Sequence, residues 1–164
     1  MRFQADDQMT LYFDGQNMGS ADWDFPRGEL TVATAPRTVA LRGVDSGGSC
    51  AVMLWMSNGY VTDTSWKCTS SNPSGGNSWY FAGYDDSAWE TPMTVQYSAD
   101  SLLGCAGATP LWVNCGGCGS CSTIYCRKEF QWIVSLQWVY RWPQILPVPL
   151  NNTLNLKIYN NSAQ

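Results

Sequence analysis

Met9-Thr10-Leu11-Tyr12-Phe13-Asp14-Gly15 decides the fold class. Its first five residues alternate with the period of a strand, and Asp14-Gly15 supplies the two positive-φ positions that a type I′ turn requires. The stretch therefore predicts a β-hairpin. The same short period recurs along the chain. Between residues 37 and 44, Val39 and Leu41 fall on one face and Thr38, Ala40 and Arg42 on the other. Residues 51–56 are apolar on both faces, as expected of a strand inside a sandwich. Residues 93–97, 111–113, 124–130 and 154–159 complete the strand candidates, punctuated by Gly, Pro, Asn and Ser. No stretch carries a capped 3.6-residue pattern, so the chain reads as all-β.

A chain of 164 residues with 45% hydrophobic residues is long enough and apolar enough to bury one core. Nine Lys and Arg stand against 13 Asp and Glu, with the basic residues scattered, which leaves no electrostatic footprint for nucleic acid. Histidine is absent, removing the commonest general base and the commonest metal ligand. No apolar run approaches the length of a membrane span; the most apolar, 132–150, is broken by Arg141, Pro143, Pro147 and Pro149.

Seven cysteines, at Cys50, Cys68, Cys105, Cys115, Cys118, Cys121 and Cys126, point to a disulfide framework and an extracellular setting. Two N-x-S/T sequons, at Asn151 and Asn160, permit the same reading. Met1-Arg2-Phe3 opens no apolar signal segment. An extracellular chain would then have lost its leader or be a fragment; otherwise the secretion reading is wrong. Seven cysteines form at most three bridges, and the odd one is either buried and free or pairs between chains. The run Cys115-Gly-Gly-Cys118-Gly-Ser-Cys121 begins like a ferredoxin cluster motif, but the next cysteine, Cys126, comes after four residues and is followed by Arg127. A zinc site would want a second close pair, whereas Cys50 and Cys68 are isolated. A disulfide-stapled loop between two strands is the preferred reading.

Three separated phrases carry a resemblance. They are Phe3-Gln4-Ala5-Asp6-Asp7 leading into Leu11-Tyr12-Phe13-Asp14-Gly15; Tyr84-Asp85-Asp86-Ser87-Ala88-Trp89; and Ala108-Thr109-Pro110-Leu111-Trp112-Val113 followed by Ile124-Tyr125-Cys126-Arg127-Lys128-Glu129-Phe130. Together they resemble the galactose-binding-like β-sandwich, a jelly-roll module found as accessory carbohydrate-binding domains of glycoside hydrolases and in animal extracellular proteins. The resemblance implies a disulfide-reinforced jelly roll over residues 1–130, with 131–164 as a C-terminal extension whose alternating stretches are candidates to complete strands. The half that usually comes second leads here, so the chain looks like a circular permutant, which surface termini lying close together would tolerate.

The resemblance further implies a non-catalytic extracellular module that recognises glycans or matrix glycoproteins through its loops. A matrix protein that kept the scaffold without the sugar site is the alternative. A sugar platform needs aromatic rings beside polar side chains. Trp66, Trp89 and Trp112 fall in scaffold phrases and are assigned to packing. Trp23 with Asp24, and Trp79 with Tyr80, lie in polar stretches and are the platform candidates. Arg127 is expected to pair with a loop aspartate, with ligand contact as its other role. The family often holds a structural calcium, for which the acidic candidates are Asp6, Asp7, Asp85 and Asp86, with Asp63 beside them; no EF-hand spacing is present. Asp85 and Asp86 are neighbours on a turn and cannot face each other across a glycosidic bond. Their expected role is to accept N–H groups of their own turn while Trp89 packs inward.

Overall fold

The protein is described from a computed structural model covering residues 1–22, 28–29, 31–96, 107–116, 118 and 120–130. Strand β2 (Gln8–Phe13) turns through Asp14 and Gly15, at φ 47° and 88°, into β3 (Gln16–Asp22). This is the predicted hairpin with its predicted turn geometry. The Asp14 carboxylate also accepts the backbone N–H groups of Arg37 and Thr38, at 3.1 and 2.7 Å, and so ties the turn to the start of β5 (Thr38–Val44).

Two antiparallel sheets result. One has the order β3-β2-β5-β10-β7, with β7 at Lys67–Thr69 and β10 at Thr123–Glu129. The other has the order β4-β1-β6-β9-β8, with β1 at Arg2–Asp6, β4 at Gly28–Glu29, β6 at Ala51–Trp55, β8 at Met93–Thr94 and β9 at Leu111–Trp112. Among the described strands the chain crosses between sheets at most connections, and only β2–β3 and β8–β9 are sequence neighbours paired in one sheet. It is an all-β two-sheet sandwich. The strands expected at 93–97 and 111–113 are shorter than their patterns suggested, and β3 and β7, which no clean alternation marks, complete the first sheet.

Inward residues of both sheets form one core, with Phe3, Leu11, Leu41, Val52, Leu54, Trp66, Trp112 and Ile124 fully or almost fully buried. Gly43 of β5 leaves no room for a side chain. A Cβ there would lie 2.8 Å from a Val52 methyl, 3.0 Å from Ile124 Cγ1 and 3.0 Å from the Trp112 ring. Trp66 buries its ring in this core and donates its indole N–H to the Val61 carbonyl at 2.8 Å.

Three disulfides staple the sandwich. Cys68–Cys126 bridges the neighbouring strands β7 and β10, where the two residues lie directly opposite. Cys50–Cys118 ties the start of β6 to the loop after β9, and Cys115–Cys121 closes that loop on itself. By loop-closure entropy either of the first two, taken alone, stabilises by about 4 kcal/mol and the short one by about 2 kcal/mol. The motif that begins like a metal site is therefore a stapled loop. Cys105, Trp23, Asp24, both sequons and the whole extension 131–164 lie outside the described residues. Among the described residues no helix is long and apolar enough to cross a membrane.

Candidate functional site

The outer face of the first sheet positions the candidate surfaces. Alternation sends Gln8, Thr10 and Tyr12 of β2, Ala40 and Arg42 of β5, and Tyr125 and Arg127 of β10 to this face, because their neighbours fill the core. Registry then sets them in rows. Ser20, Thr10, Arg42, Tyr125 and Thr69 lie abreast, and Tyr12, Ala40, Arg127 and Lys67 form the next row.

An aromatic cap covers part of that face. A short 3-10 helix, Gly76–Tyr80, lays Trp79 over Ala40, with Trp89 beside it. The Trp79 ring meets Tyr12 and Tyr125 edge-on at 5.6 and 5.2 Å, and Tyr80 stacks flat on Tyr12 at 4.3 Å. Burial of Ala40 is thereby explained: β5 is covered on both sides. Burial, followed by the neighbouring Tyr80 hydroxyl, pushes the Tyr12 phenol above its ordinary value, although the Arg42 charge pulls the other way.

Arg127 emerges beneath one edge of the cap and is 1% exposed. Its guanidinium donates to the Asp86 carboxylate, to Glu129 Oε1 at 2.7 Å, and to the carbonyls of Tyr84 and Phe81 at 3.1 and 3.0 Å. The expected pairing with a loop aspartate is the one observed, and it pins the 81–86 loop to β10. Burial raises the Glu129 carboxyl, but hydrogen bonds from Arg127 and the Gly83 N–H, with the Arg127 and Arg37 charges, hold it below the ordinary range overall. Beside this cluster an open depression of about 420 Å³ is lined by Ser65, Lys67, Tyr84, Asp86, Arg127 and Lys128. Lys128 reaches Asp63 at 3.4 Å and Ser65.

A second depression, of about 220 Å³, lies over β3, β2 and β5. Gln8, Thr10, Ser20, Asp22, Arg42 and Val44 line it, and the Thr10 and Ser20 hydroxyls are 3.3 Å apart.

Of the residues expected to form the site, Trp23 and Asp24 lie outside the described residues, and the others are held by the following contacts. Trp79, expected as an exposed platform, is 4% exposed and serves as the centre of the cap, so its faces are covered by protein. Tyr80 is half-buried beside it. Asp7 accepts the Ser46 N–H and fixes the loop after β5, while Asp85 accepts the Ser87 N–H of its own turn at 3.0 Å. The Asp6–Asp7 and Asp85–Asp86 pairs are also far apart. Asp7 bonds at Val44, opposite Thr123, whereas Asp86 bonds Arg127, four residues or about 13 Å further along β10. Among the described residues no three Asp, Glu, Cys or His side chains converge as a metal would need. Sequence reading left Lys67, Lys128 and Arg42 without a role, although alternation in β5 had already put Arg42 on the face opposite the core. Compared with known proteins, the chain matches no protein-family model, no curated protein and no solved structure at a significant level.

Proposed function

We propose that this chain is a non-catalytic extracellular carbohydrate-binding or adhesion module of the galactose-binding-like, jelly-roll kind. The observation that supports the reading best is the open depression beside Arg127, where strand and loop side chains of both charges, a hydroxyl and a tyrosine converge on a pinned scaffold. Hydroxyl-rich ligands need donors and acceptors in close alternation beside an aromatic ring, and Lys67, Lys128, Ser65, Asp86 and Tyr84 supply them. A shallow open site gives modest affinity, so the module works by repetition or by contact with multivalent glycan.

The carboxylates also favour binding over hydrolysis. A glycosidase acid must carry a raised pKa and face a second carboxylate across the bond. Here Glu129 is held below the ordinary range, with burial opposing and Arg127 and Gly83 prevailing, and Asp86 bonds the same guanidinium. The proposed partners are glycans or matrix glycoproteins, not nucleic acid, and the reading needs no cofactor. Three disulfides fit an oxidising extracellular location.

A glycan-array screen of the disulfide-intact protein, in calcium and again in chelator, tests this. Selective binding that weakens in Lys67→Ala supports the reading, and loss in chelator alone adds a calcium requirement. Silence under both conditions, at concentrations that reveal millimolar affinities, overturns it.

One observation favours a second reading, a matrix protein without a sugar site. The three disulfides use six of the seven cysteines, leaving Cys105 as the residue for a bond between chains. Dimers on non-reducing gels that vanish in Cys105→Ser, together with a silent array, would establish it.

A further inference from the structure

Tyr12 of β2 and Tyr80 of the 3-10 helix lie face to face, with ring centroids 4.3 Å apart and ring planes within 4° of parallel. Carbons of the two phenol rings are thus in van der Waals contact. Among the described residues no other two tyrosine rings touch; Tyr60 stacks on Phe130, Tyr84 meets Trp89 and Tyr125 meets Trp79. The Trp79 indole meets both members of the pair edge-on, at 5.6 and 5.3 Å, and holds the stack from one side. The Tyr80 hydroxyl acts on the Tyr12 phenol, which places the two hydroxyl ends in one neighbourhood. Both tyrosines are half-buried, so an oxidant reaches them from solvent, whereas Trp79 and Trp89 beneath them are buried.

We infer that this pair is an oxidative modification site, at which hydrogen peroxide acting through a haem peroxidase joins the two rings as an intramolecular dityrosine. Each phenol gives one electron to the peroxidase and its hydroxyl proton to water. The two phenoxyl radicals share their unpaired electrons with the ring carbons beside the oxygens, and one such carbon from each ring forms the new C–C bond. Each bonded carbon then releases its hydrogen as a proton while its oxygen regains one, which restores two phenols. The chain loses two hydrogen atoms, and the peroxide takes up two electrons and two protons to become two waters.

Proximity decides which product forms. Radicals on separate chains must first meet, whereas these two rings are already in contact, so coupling within one chain outruns coupling between chains. Bond formation turns the stacked rings towards edge to edge. Tyr12 sits on a strand paired on both sides, so Tyr80, at the end of a five-residue helix, is the ring placed to turn. The product ties the cap to β2, adding a covalent staple to the three disulfides and constraining the unfolded chain as they do. This inference goes beyond the binding reading and holds whether or not the chain binds glycan.

The test is oxidation of the full disulfide-intact chain, once with a haem peroxidase and hydrogen peroxide and once with a diffusible one-electron photo-oxidant. The monomer fraction is read by dityrosine fluorescence, by intact mass and by peptide mapping after the disulfides are reduced. The expected product is a monomer that has lost two hydrogen atoms and in which the peptides containing Tyr12 and Tyr80 are joined. Tyr12→Phe and Tyr80→Phe each keep the stacked ring but lack a phenol, and each should lose the monomer's dityrosine; Tyr84→Phe and Tyr125→Phe should retain it. A native chain that yields no monomer dityrosine with either oxidant overturns the inference. So does a linkage that maps to another pair, one that persists in either stack variant, or coupling found only in dimers.

Discussion

Arg127 and Asp86, 41 residues apart in sequence, form an ion pair in which the arginine is buried and the aspartate three-quarters so. Because the same guanidinium also takes Glu129 and two backbone carbonyls, one side chain organises the 81–86 loop against β10. Removing Asp86 leaves a buried cation with fewer partners. Asp86→Ala is expected to lower stability by about 1–3 kcal/mol. Arg127→Ala, which strands two carboxylates and opens a void, is expected to cost about 3–5 kcal/mol. Urea unfolding of both single variants and the double variant measures the coupling. Additive losses would show that the pair does not act as a unit.

Gly43 is required for its lack of a side chain. It sits on the inner face of β5 with its Cβ position already within 3.0 Å of Val52, Ile124 and Trp112. All three are buried, and two belong to the opposite sheet. Gly43→Ala is expected to destabilise by about 1–3 kcal/mol through overpacking, despite alanine's ordinary tolerance for strand backbone. The checking measurement is the urea midpoint beside that of Gly47→Ala. Nothing lies within 4 Å of the Cβ position at Gly47, whose φ of 124° predicts a loss from backbone strain alone.

Acid should unfold the protein in a defined window. Burial raises the carboxyls of Glu129 and Asp63, but hydrogen bonds and charge outweigh it in both, from Arg127 and Gly83 for Glu129 and from Ser65 and Lys128 for Asp63. Both folded-state values therefore lie below the unfolded ones. The stability they contribute is fully present above the ordinary carboxylate range, about pH 4, and is lost as pH falls through the lower folded values. Denaturant midpoints between pH 6 and 2 should fall most steeply at the acid end, and Glu129→Gln should flatten that fall. An equal slope in the variant would count against the assignment.

Much of this architecture was legible where one face alone is buried. Residues 9–15 gave the hairpin because Met9, Leu11 and Phe13 face the core while Thr10 and Tyr12 do not, and Asp14-Gly15 carries its turn chemistry locally. Trp66, Trp89 and Trp112 were expected in the core because they fall in the phrases that carry the resemblance, and all three are buried. What failed was anything decided by a second layer. The 70–80 stretch reads as polar, with serines, asparagines and glycines around Trp79, and its local composition does not say that its aromatic pair will cap a sheet. That outcome depends on Tyr12, Ala40 and Tyr125, which arrive from three other segments. Strand β7 was missed because three residues are too few to show a period, and the length of β3, the second arm of the expected hairpin, was not legible because its residues carry no clean alternation and its register shifts opposite Leu11 and Tyr12. Disulfide partners were undetermined for a related reason: registry between β7 and β10, which no spacing encodes, selects Cys68 for Cys126.

Trp79 separates a packing role from a binding role by experiment. If it were an exposed platform, Trp79→Ala would abolish glycan binding and leave stability nearly unchanged. As the centre of the cap it touches Tyr12, Tyr80, Trp89 and Tyr125, and truncation removes a buried indole from a cluster with no other filler. The expected loss is then about 3–5 kcal/mol, a large share of a single domain's stability. Tyr80→Ala removes a half-buried ring stacked on Tyr12 and should cost less, about 1–2 kcal/mol. Thermal unfolding of the two variants gives the order, and tryptophan fluorescence reports whether the cap has opened. A Trp79→Ala protein as stable as the parent would return Trp79 to the list of ligand contacts. A strongly destabilised one would mean that any change in glycan binding it shows follows from loss of the cap that covers part of the sheet.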